Sequence, residues 1–382
     1  MLEFGKKLIS FLVLFFLFGI VGFALARSGA LDLIIPLFNF SSISVFEVIL
    51  LFTIPYYFAI VVHELGHLVM GKVTGYQFMS FRFLSFMISR KQDGTFSFQR
   101  YSIPGTAGQC LMFPSEHKKE GIFWYNFGGV FFNFLSFLLA LGIFLSSRTD
   151  IWKQWMSFLM LYNGLFIFVN WIPLKNLQND GKNYQELKRN PISRLAFKQM
   201  LLVNRDLSYG VKLSDINLFP HREELDYKQA LQTSVLLIYA SQDLYRLDFN
   251  AYITEMNRCR ILIHNQKGWL LNLTKPYLYF ADLLTNPEIA LTKKDKTIKA
   301  ILKAMKHDPF YALVAYYEAL VTNNKDSFKF KEQLLKSCQK VIHHGEAQEV
   351  LNLLPHLEAR AYAPLIAKSA SYHDESNRSH HE

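Results

Sequence analysis

Long apolar runs fill the first half of the chain, whereas charged segments with helical periodicity fill the second half. Four runs are long enough to cross a bilayer as helices, at about residues 8–26, 46–70, 122–146 and 154–174. Most interruptions within them are Gly, Asn, Tyr or Trp, which the interior of a helix bundle accommodates. The pattern predicts a mainly α-helical, polytopic membrane protein with an N-terminal anchor helix ahead of a three-helix core.

The first run also fits a signal peptide, because it follows Lys6-Lys7 and ends in Ala24-Leu25-Ala26. Its apolar part is longer than a signal peptide usually has, so we favour the anchor. Basic residues indicate the orientation of the spans. They are concentrated between the second and third runs, at Lys72, Arg82, Arg90, Lys91, Arg100, Lys118 and Lys119, whereas the opposite loops carry Arg27 and Arg148. We therefore expect a multi-pass protein of a bacterial cell membrane, with both termini in the cytoplasm.

The net charge of +10 has a simple explanation in this topology. Basic cytoplasmic loops lie beside anionic lipid headgroups, so we predict the bilayer as a partner and no binding to nucleic acid. The three cysteines, Cys110, Cys259 and Cys338, are scattered and lack metal-binding spacing, which predicts reduced thiols.

The composition divides the chain into three parts. Residues 1–181 form the predicted membrane domain, residues 182–372 a cytoplasmic helical domain, and residues 373–382 a disordered tail. Asp308-Pro309 between two helical segments, followed by small residues at 312, 315 and 319, resembles tetratricopeptide repeats, but no clean repeat period is visible. A generic helical bundle is the alternative. Either form could bind a protein partner.

The basic loop after the second run contains a predicted β-hairpin. Phe78–Phe86 and Thr95–Tyr101 partly alternate polar with apolar residues around an Asp93-Gly94 turn. One interpretation is an edge strand that pairs with an extended peptide, and the other is an interfacial hairpin whose phenylalanines contact lipid.

The second apolar run ends in His63-Glu64-Leu65-Gly66-His67. On a helix the two histidines lie on one face, one turn apart, so both imidazoles can bind a single zinc ion while Glu64 serves as a base. Ionisable residues at membrane depth are costly to bury unless they are paired or liganded. This motif predicts zinc-dependent hydrolysis.

A third protein ligand is needed, and the topology restricts where it can come from. The motif must lie near the cytoplasmic face, which excludes Asp150 at the opposite face. Asp180 follows the cytoplasmic end of the fourth run and is the best candidate. Pro173 should end the helix, and Gly181 should give the backbone freedom to turn the carboxylate towards the metal.

These residues resemble those of the site-2 protease family of intramembrane zinc metalloproteases. The resemblance rests on the motif at 63–67, on Asn170 and Pro173 followed by Asp180-Gly181, and on Gly128-Gly129 with Asn133 in the third run. It implies one zinc ion held by His63, His67 and Asp180, with Glu64 as general base and Asn133 holding the substrate or the developing oxyanion. It also implies cleavage of single-span or signal-peptide-like substrates. The interval between Pro173 and Asp180 is longer than is usual in the family, which leaves Glu186 as the alternative ligand.

Two other functions fit a membrane protein with this motif. A zinc transporter can carry a similar helix, but it needs ligands at several depths of the bilayer, and here the intramembrane histidines lie at one depth. A non-catalytic membrane scaffold or immunity protein would leave Glu64 without a role.

Overall fold

The computed structural model describes residues 44–103, 106–115, 121–173, 179–226, 228–263, 269–341 and 344–378. The described chain is mainly helical with one small sheet, as predicted. Before residue 180 the described helices are α1 (Val45–Val73), α2 (Ile122–Ser146) and α3 (Asp150–Trp171), and the strands are β1 (Tyr76–Phe83), β2 (Phe86–Arg90), β3 (Phe96–Arg100) and β4 (Gly108–Pro114). The helices that follow are α4 (Asp180–Arg189), α5 (Pro191–Ser208), α6 (Ala230–Tyr245), α7 (Phe249–Ile263), α8 (Trp269–Thr285), α9 (Pro287–Lys293), α10 (Lys296–Ala304), α11 (Pro309–Val321), α12 (Ser327–Lys340) and α13 (His344–Arg378).

Two of the four predicted spans are helices long and apolar enough to cross a membrane, namely α1 and α2. The predicted fourth span is also a helix, α3, but it carries Lys153, Gln154 and Asn163 and does not reach the same hydropathy. The predicted first span lies outside the described residues. The crossing of the bilayer by more than these two helices therefore stays a prediction.

The chain divides into two compact units. Described residues up to Val62, with Phe132–Ile167, form the first unit. It contains the first part of α1, the second part of α2 and most of α3. Its interior is held by polar and aromatic contacts. The Asn133 amide donates to the Ala59 carbonyl at 3.0 Å and to Asn163 Oδ1 at 2.8 Å, so one side chain links all three helices. Phe52 packs edge-on against Phe158 with ring centroids 4.7 Å apart.

The second unit contains His63–Phe131 and the described residues from Phe168 onwards. Its sheet has the antiparallel order β3-β2-β1-β4. The predicted two-stranded hairpin was wrong in extent, because the segment predicted as one strand, 78–86, turns at Leu84 and Ser85. Leu84 has a φ of +54°, a left-handed conformation that non-glycine residues seldom adopt, so the sequence gives little sign of this turn. The Asp93-Gly94 turn does join two strands, β2 and β3.

A buried arginine fixes the loop between β3 and β4. The side chain of Arg82 in β1 is fully buried, and its guanidinium donates to the carbonyls of Leu84, Thr106 and Gly108 at 2.8, 3.1 and 3.3 Å, and to the Thr106 hydroxyl. Burying this charge is costly unless it is hydrogen-bonded. The β1–β2 turn, Thr106 and the start of β4 supply acceptors for the two terminal nitrogens, while Nε of Arg82 is buried without a hydrogen bond to the described residues.

The helical domain packs its helices mostly against their sequence neighbours, around a core rich in Tyr, Phe and Leu. The last helix, α13, also packs against α5 and α6. Repeat arrays contact only adjacent repeats, so this return contact favours the closed bundle over tetratricopeptide repeats. Helix α13 continues to Arg378, and no Gly or Pro between 365 and 378 interrupts it, while the disorder of the tail at 373–382 stays a prediction. Residues 379–382 lie outside the described residues.

Candidate metal centre

Three predicted ligands converge in the second unit. Asp180 Oδ2 lies 3.1 Å from His63 Nε2 and 3.4 Å from His67 Nε2, and the two Nε2 atoms lie 3.2 Å apart. Both histidines are buried, with 7% and 9% of their surfaces exposed. The four-residue spacing on α1 places the imidazoles side by side, and the start of α4 brings the carboxylate to them. This group could hold a metal ion.

The donor set fits zinc. Ligands about 2.0–2.1 Å from a tetrahedral zinc lie about 3.3–3.4 Å from one another, which is close to the three separations in this group. Two imidazole nitrogens and one carboxylate oxygen are also a usual ligand set of catalytic zinc. Among the described residues, Asp180 Oδ2 is buried without a well-directed hydrogen bond. A bound cation would satisfy that oxygen.

The hydrogen bond made by Nδ1 of His67 determines which ring nitrogen can bind a metal ion. His67 Nδ1 lies 2.7 Å from the Tyr125 carbonyl oxygen in α2. A carbonyl can only accept, so Nδ1 carries the hydrogen and the lone pair of the neutral ring is on Nε2. The Tyr125 hydroxyl in turn donates to the Cys110 carbonyl at 2.7 Å, and the Tyr125 ring stacks on Tyr76. Strands β1 and β4 thus support a candidate metal ligand, His67, through Tyr125.

Glycines in α2 leave space for the imidazoles. A Cβ on Gly129 would lie 2.6 Å from the Nε2 atoms of both His63 and His67, closer than real contacts allow. A Cβ on Gly128 would lie 2.4 Å from the Gly66 carbonyl oxygen, so this glycine lets α1 and α2 approach closely. In the sequence both glycines stand out only through the family resemblance, and the structure supplies their physical role.

Hydrogen bonds between the end of α3 and the start of α4 position Asp180. Helix α3 ends at Trp171, two residues before Pro173, which confirms the predicted helix end. Asn179 caps α4 through its Oδ1 and donates its amide to the carbonyls of Val169 and Ile172, each at 2.6 Å. These bonds tie the end of α3 to the start of α4. Asn179 was not predicted from the sequence, although an Asn directly before a helix is a common capping signal.

Gly181 has a different role from the one predicted. It lies within α4, and a Cβ there would lie 1.8 Å from the Trp171 carbonyl oxygen. The glycine is needed for close packing against the end of α3 and not for backbone freedom. Asn170, in the last turn of α3, supplies a carbonyl oxygen 3.1 Å from the same Cβ position. This packing sets the position of Asp180.

The electrostatics of Asp180 agree with a ligand role. Burial alone would raise the pKa of Asp180, but His67 and His63 outweigh burial and hold the pKa below its usual value. The group is therefore a carboxylate at neutral pH, the form that binds a cation.

Glu64 is half-buried beside the histidines on α1. Burial lowers the pKa of Arg82, and the negative charge of Glu64 opposes that change, so the two side chains interact electrostatically. Arg82 was not singled out from the sequence, since strand alternation does not reveal a buried arginine.

Two other predicted residues lie elsewhere. Asn133 belongs to the first unit, where its amide donates to Ala59 and Asn163. Glu186, the alternative ligand, accepts from the Ser193 hydroxyl at 2.9 Å and from the Leu231 backbone N–H at 3.2 Å. Its carboxylate thus joins α4 to α5 and to the start of α6, and it does not belong to the metal-binding group.

No protein-family model, curated protein or solved structure matches the chain. The chemistry of the centre therefore rests on its own residues. They can hold a metal ion through His63, His67 and Asp180, with a carboxylate, Glu64, placed next to it.

Proposed function

We propose that this protein is a zinc-dependent endopeptidase that works within a membrane. The proposal rests on the meeting of Asp180 with His63 and His67, two histidines that flank Glu64 in a helix apolar enough to span a bilayer. Two imidazoles, one carboxylate and a neighbouring glutamate make up the ligands and the general base of many zinc hydrolases.

The surface of the first unit supports a location in lipid. Its helices expose large apolar side chains, and only 22% and 28% of the most apolar windows of α1 and α2 are buried. Core helices of a soluble protein bury most of such a window, whereas membrane spans leave it facing lipid. The exposed apolar residues include Phe46, Ile49, Phe58, Leu135, Leu139, Leu145, Leu161 and Leu165. This surface matches the proposed multi-pass topology.

Each residue of the candidate centre has a proposed role in peptide hydrolysis. His63, His67 and Asp180 would hold zinc. Bound zinc supplies Lewis acidity, which polarises a peptide carbonyl and lowers the pKa of water. Glu64 takes one proton from the attacking water and passes it to the departing amine, so that the peptide bond is replaced by a carboxylic acid and an amine.

The proposed substrates are single-span membrane proteins or signal-peptide-like segments. A helical segment hydrogen-bonds its own carbonyls, so it must unwind before a carbonyl can reach the centre. Positions close to the water interface unwind most readily, because water can satisfy the freed backbone groups. We therefore expect cleavage in or next to the end of a transmembrane segment.

Transport of zinc is less well supported. A transport path needs ligands at successive depths. Within the part of the chain that the structure describes, His63, His67 and Asp180 form the one group of three or more His, Cys, Asp or Glu residues close enough to share a metal ion. A single closely spaced group suits a catalytic centre better than a path.

The test compares the membrane proteins and released peptides of cells that carry wild-type protein, Glu64→Gln or Glu47→Gln. Glu47 is an exposed carboxylate in the first turn of the same helix and serves as the control. We expect a small single-span protein or signal remnant to accumulate in Glu64→Gln alone. If Glu64→Gln cells match wild type under several growth conditions, the peptidase proposal fails, and zinc uptake into proteoliposomes would then support transport.

A further inference from the structure

A basic groove lies in the helical domain, formed by α10, α11 and α12. It encloses about 480 Å³, which is within the usual range of ligand sites. Its floor is a stripe of small residues on α11, Ala312, Ala315 and Ala319. Helix α10 forms one wall and α12 the other, where Phe330 faces the groove.

Lysines line this groove in excess over acidic residues. Of the five, Lys294 pairs with Glu318 at 2.6 Å, and Lys329 pairs with Asp326 at 2.7 Å. The other three, Lys299, Lys303 and Lys306, are exposed and make no ion pair with the described residues. These three charges are therefore available to a ligand.

The spacing of the lysines directs their charge along the groove. Lys299 and Lys303 are four residues apart on α10, so they lie on one helix face about 6 Å apart along its axis. On the adjoining face of α10, Ile298 and Leu302 are buried. Packing holds the helix in place, and the charged face is held towards the groove.

We propose that this groove binds an acidic peptide segment that also carries an apolar side chain. Carboxylates of the peptide meet Lys299, Lys303 and Lys306, and the apolar side chain rests on the alanine floor beside Phe330. Side chains two residues apart in an extended peptide are about 6.5–7 Å apart, which is close to the spacing of the two lysines on α10.

Other polyanions fit the groove less well. An anionic bilayer is planar and cannot reach the floor of a concave site. A nucleic acid backbone would use the lysines but not the alanine floor or Phe330. The combination of charge and apolar floor favours a peptide. The groove shares no residue with the metal centre, so this proposal holds whether or not the protein is a peptidase.

The test uses full-length protein in nanodiscs of zwitterionic lipid. A fluorescent hexapeptide of alternating Glu and Leu is titrated by anisotropy, with a Gln and Leu peptide as the neutral control. We expect wild-type protein to bind the acidic peptide in preference. In Lys299→Glu/Lys303→Glu, the affinity should fall about tenfold or more, because attraction becomes repulsion.

The matched control is Lys188→Glu/Lys212→Glu, which changes the same charge away from the groove. It should keep the wild-type affinity within about twofold, a difference of less than 0.5 kcal/mol. Equal binding of both peptides, equal loss in both variants, or no binding to wild-type protein would each overturn the proposal. Preferential binding of phosphatidylserine vesicles or of a single-stranded oligonucleotide through the same lysines would overturn it in favour of that ligand.

Discussion

At the scale of single residues, the candidate centre combines a local signal with contacts that join distant parts of the chain. His63, Glu64 and His67 could be recognised because their spacing alone puts them on one helix turn. Asp180 could be recognised from Pro173 and the topology. Tyr125 could not be recognised from the sequence, because it contacts His67 through its backbone carbonyl, which any residue type could supply.

The assignment of Asp180, and not Glu186, as the third ligand predicts different metal contents for two variants. Asp180→Ala removes one of three ligands and should retain less than about a tenth of the zinc after dialysis. Glu186→Ala should retain about one ion per chain, since Glu186 bonds to Ser193 and Leu231. Mass spectrometry of the bound metal gives both values. Asp150→Ala is a control that should match wild type, and zinc loss from Glu186→Ala would favour the alternative ligand.

Gly129 offers a test that changes no titratable group. In Gly129→Ala the new methyl would meet Nε2 of both histidines at 2.6 Å, so the imidazoles must move and zinc affinity should fall at least about tenfold. Gly142→Ala in the same helix is the matched control, because its Cβ meets nothing within 4 Å. A competitive zinc titration measures both affinities. Equal affinities would mean that Gly129 does not shape the site.

At the scale of elements, apolar runs predicted the long helices α1, α2 and α3. Alternation of polar and apolar residues predicted the sheet only in part. Helix α2 begins and ends where its apolar run does, at Ile122 and Ser146. Strand β4 was missed because its place in the sheet depends on pairing with β1, a contact that local alternation does not reveal. Close packing between helices was equally hidden, as Gly181 shows.

The bonds of Asn133 predict a role in holding the three helices together. Asn133→Ala removes the bonds to Ala59 and Asn163, and it should lower the free energy of unfolding by about 1–2 kcal/mol. Asn126→Ala is the control, because the Asn126 amide donates to the Ile122 carbonyl in its own helix. Thermal unfolding in detergent measures the change. Unaltered stability together with lost peptide hydrolysis would instead support the substrate-binding role that the family resemblance implies.

At the scale of the whole molecule, an apolar unit and a charged helical domain occupy one chain. The split was visible in the sequence, because composition changes near residue 181. The division into compact units was not visible in the sequence, since α1, α2 and α3 each have residues in both units. Such a boundary depends on contacts between helices and leaves no mark on the hydrophobic pattern.

The exposed apolar surface predicts an integral membrane protein. Washing membranes with alkaline carbonate should leave the protein in the pellet, and only detergent should release it, because α1 and α2 would otherwise expose their apolar faces to water. Immunoblotting of the fractions measures this. Release by carbonate or by salt alone would contradict a spanning topology.

The central claim is a zinc centre made by His63, His67 and Asp180, and X-ray absorption at the zinc edge of purified protein tests it most directly. We expect about one zinc per chain, with nitrogen and oxygen neighbours at about 2.0–2.1 Å and the scattering pattern of two imidazoles. A zinc-free protein, or sulfur neighbours at about 2.3 Å, would contradict it.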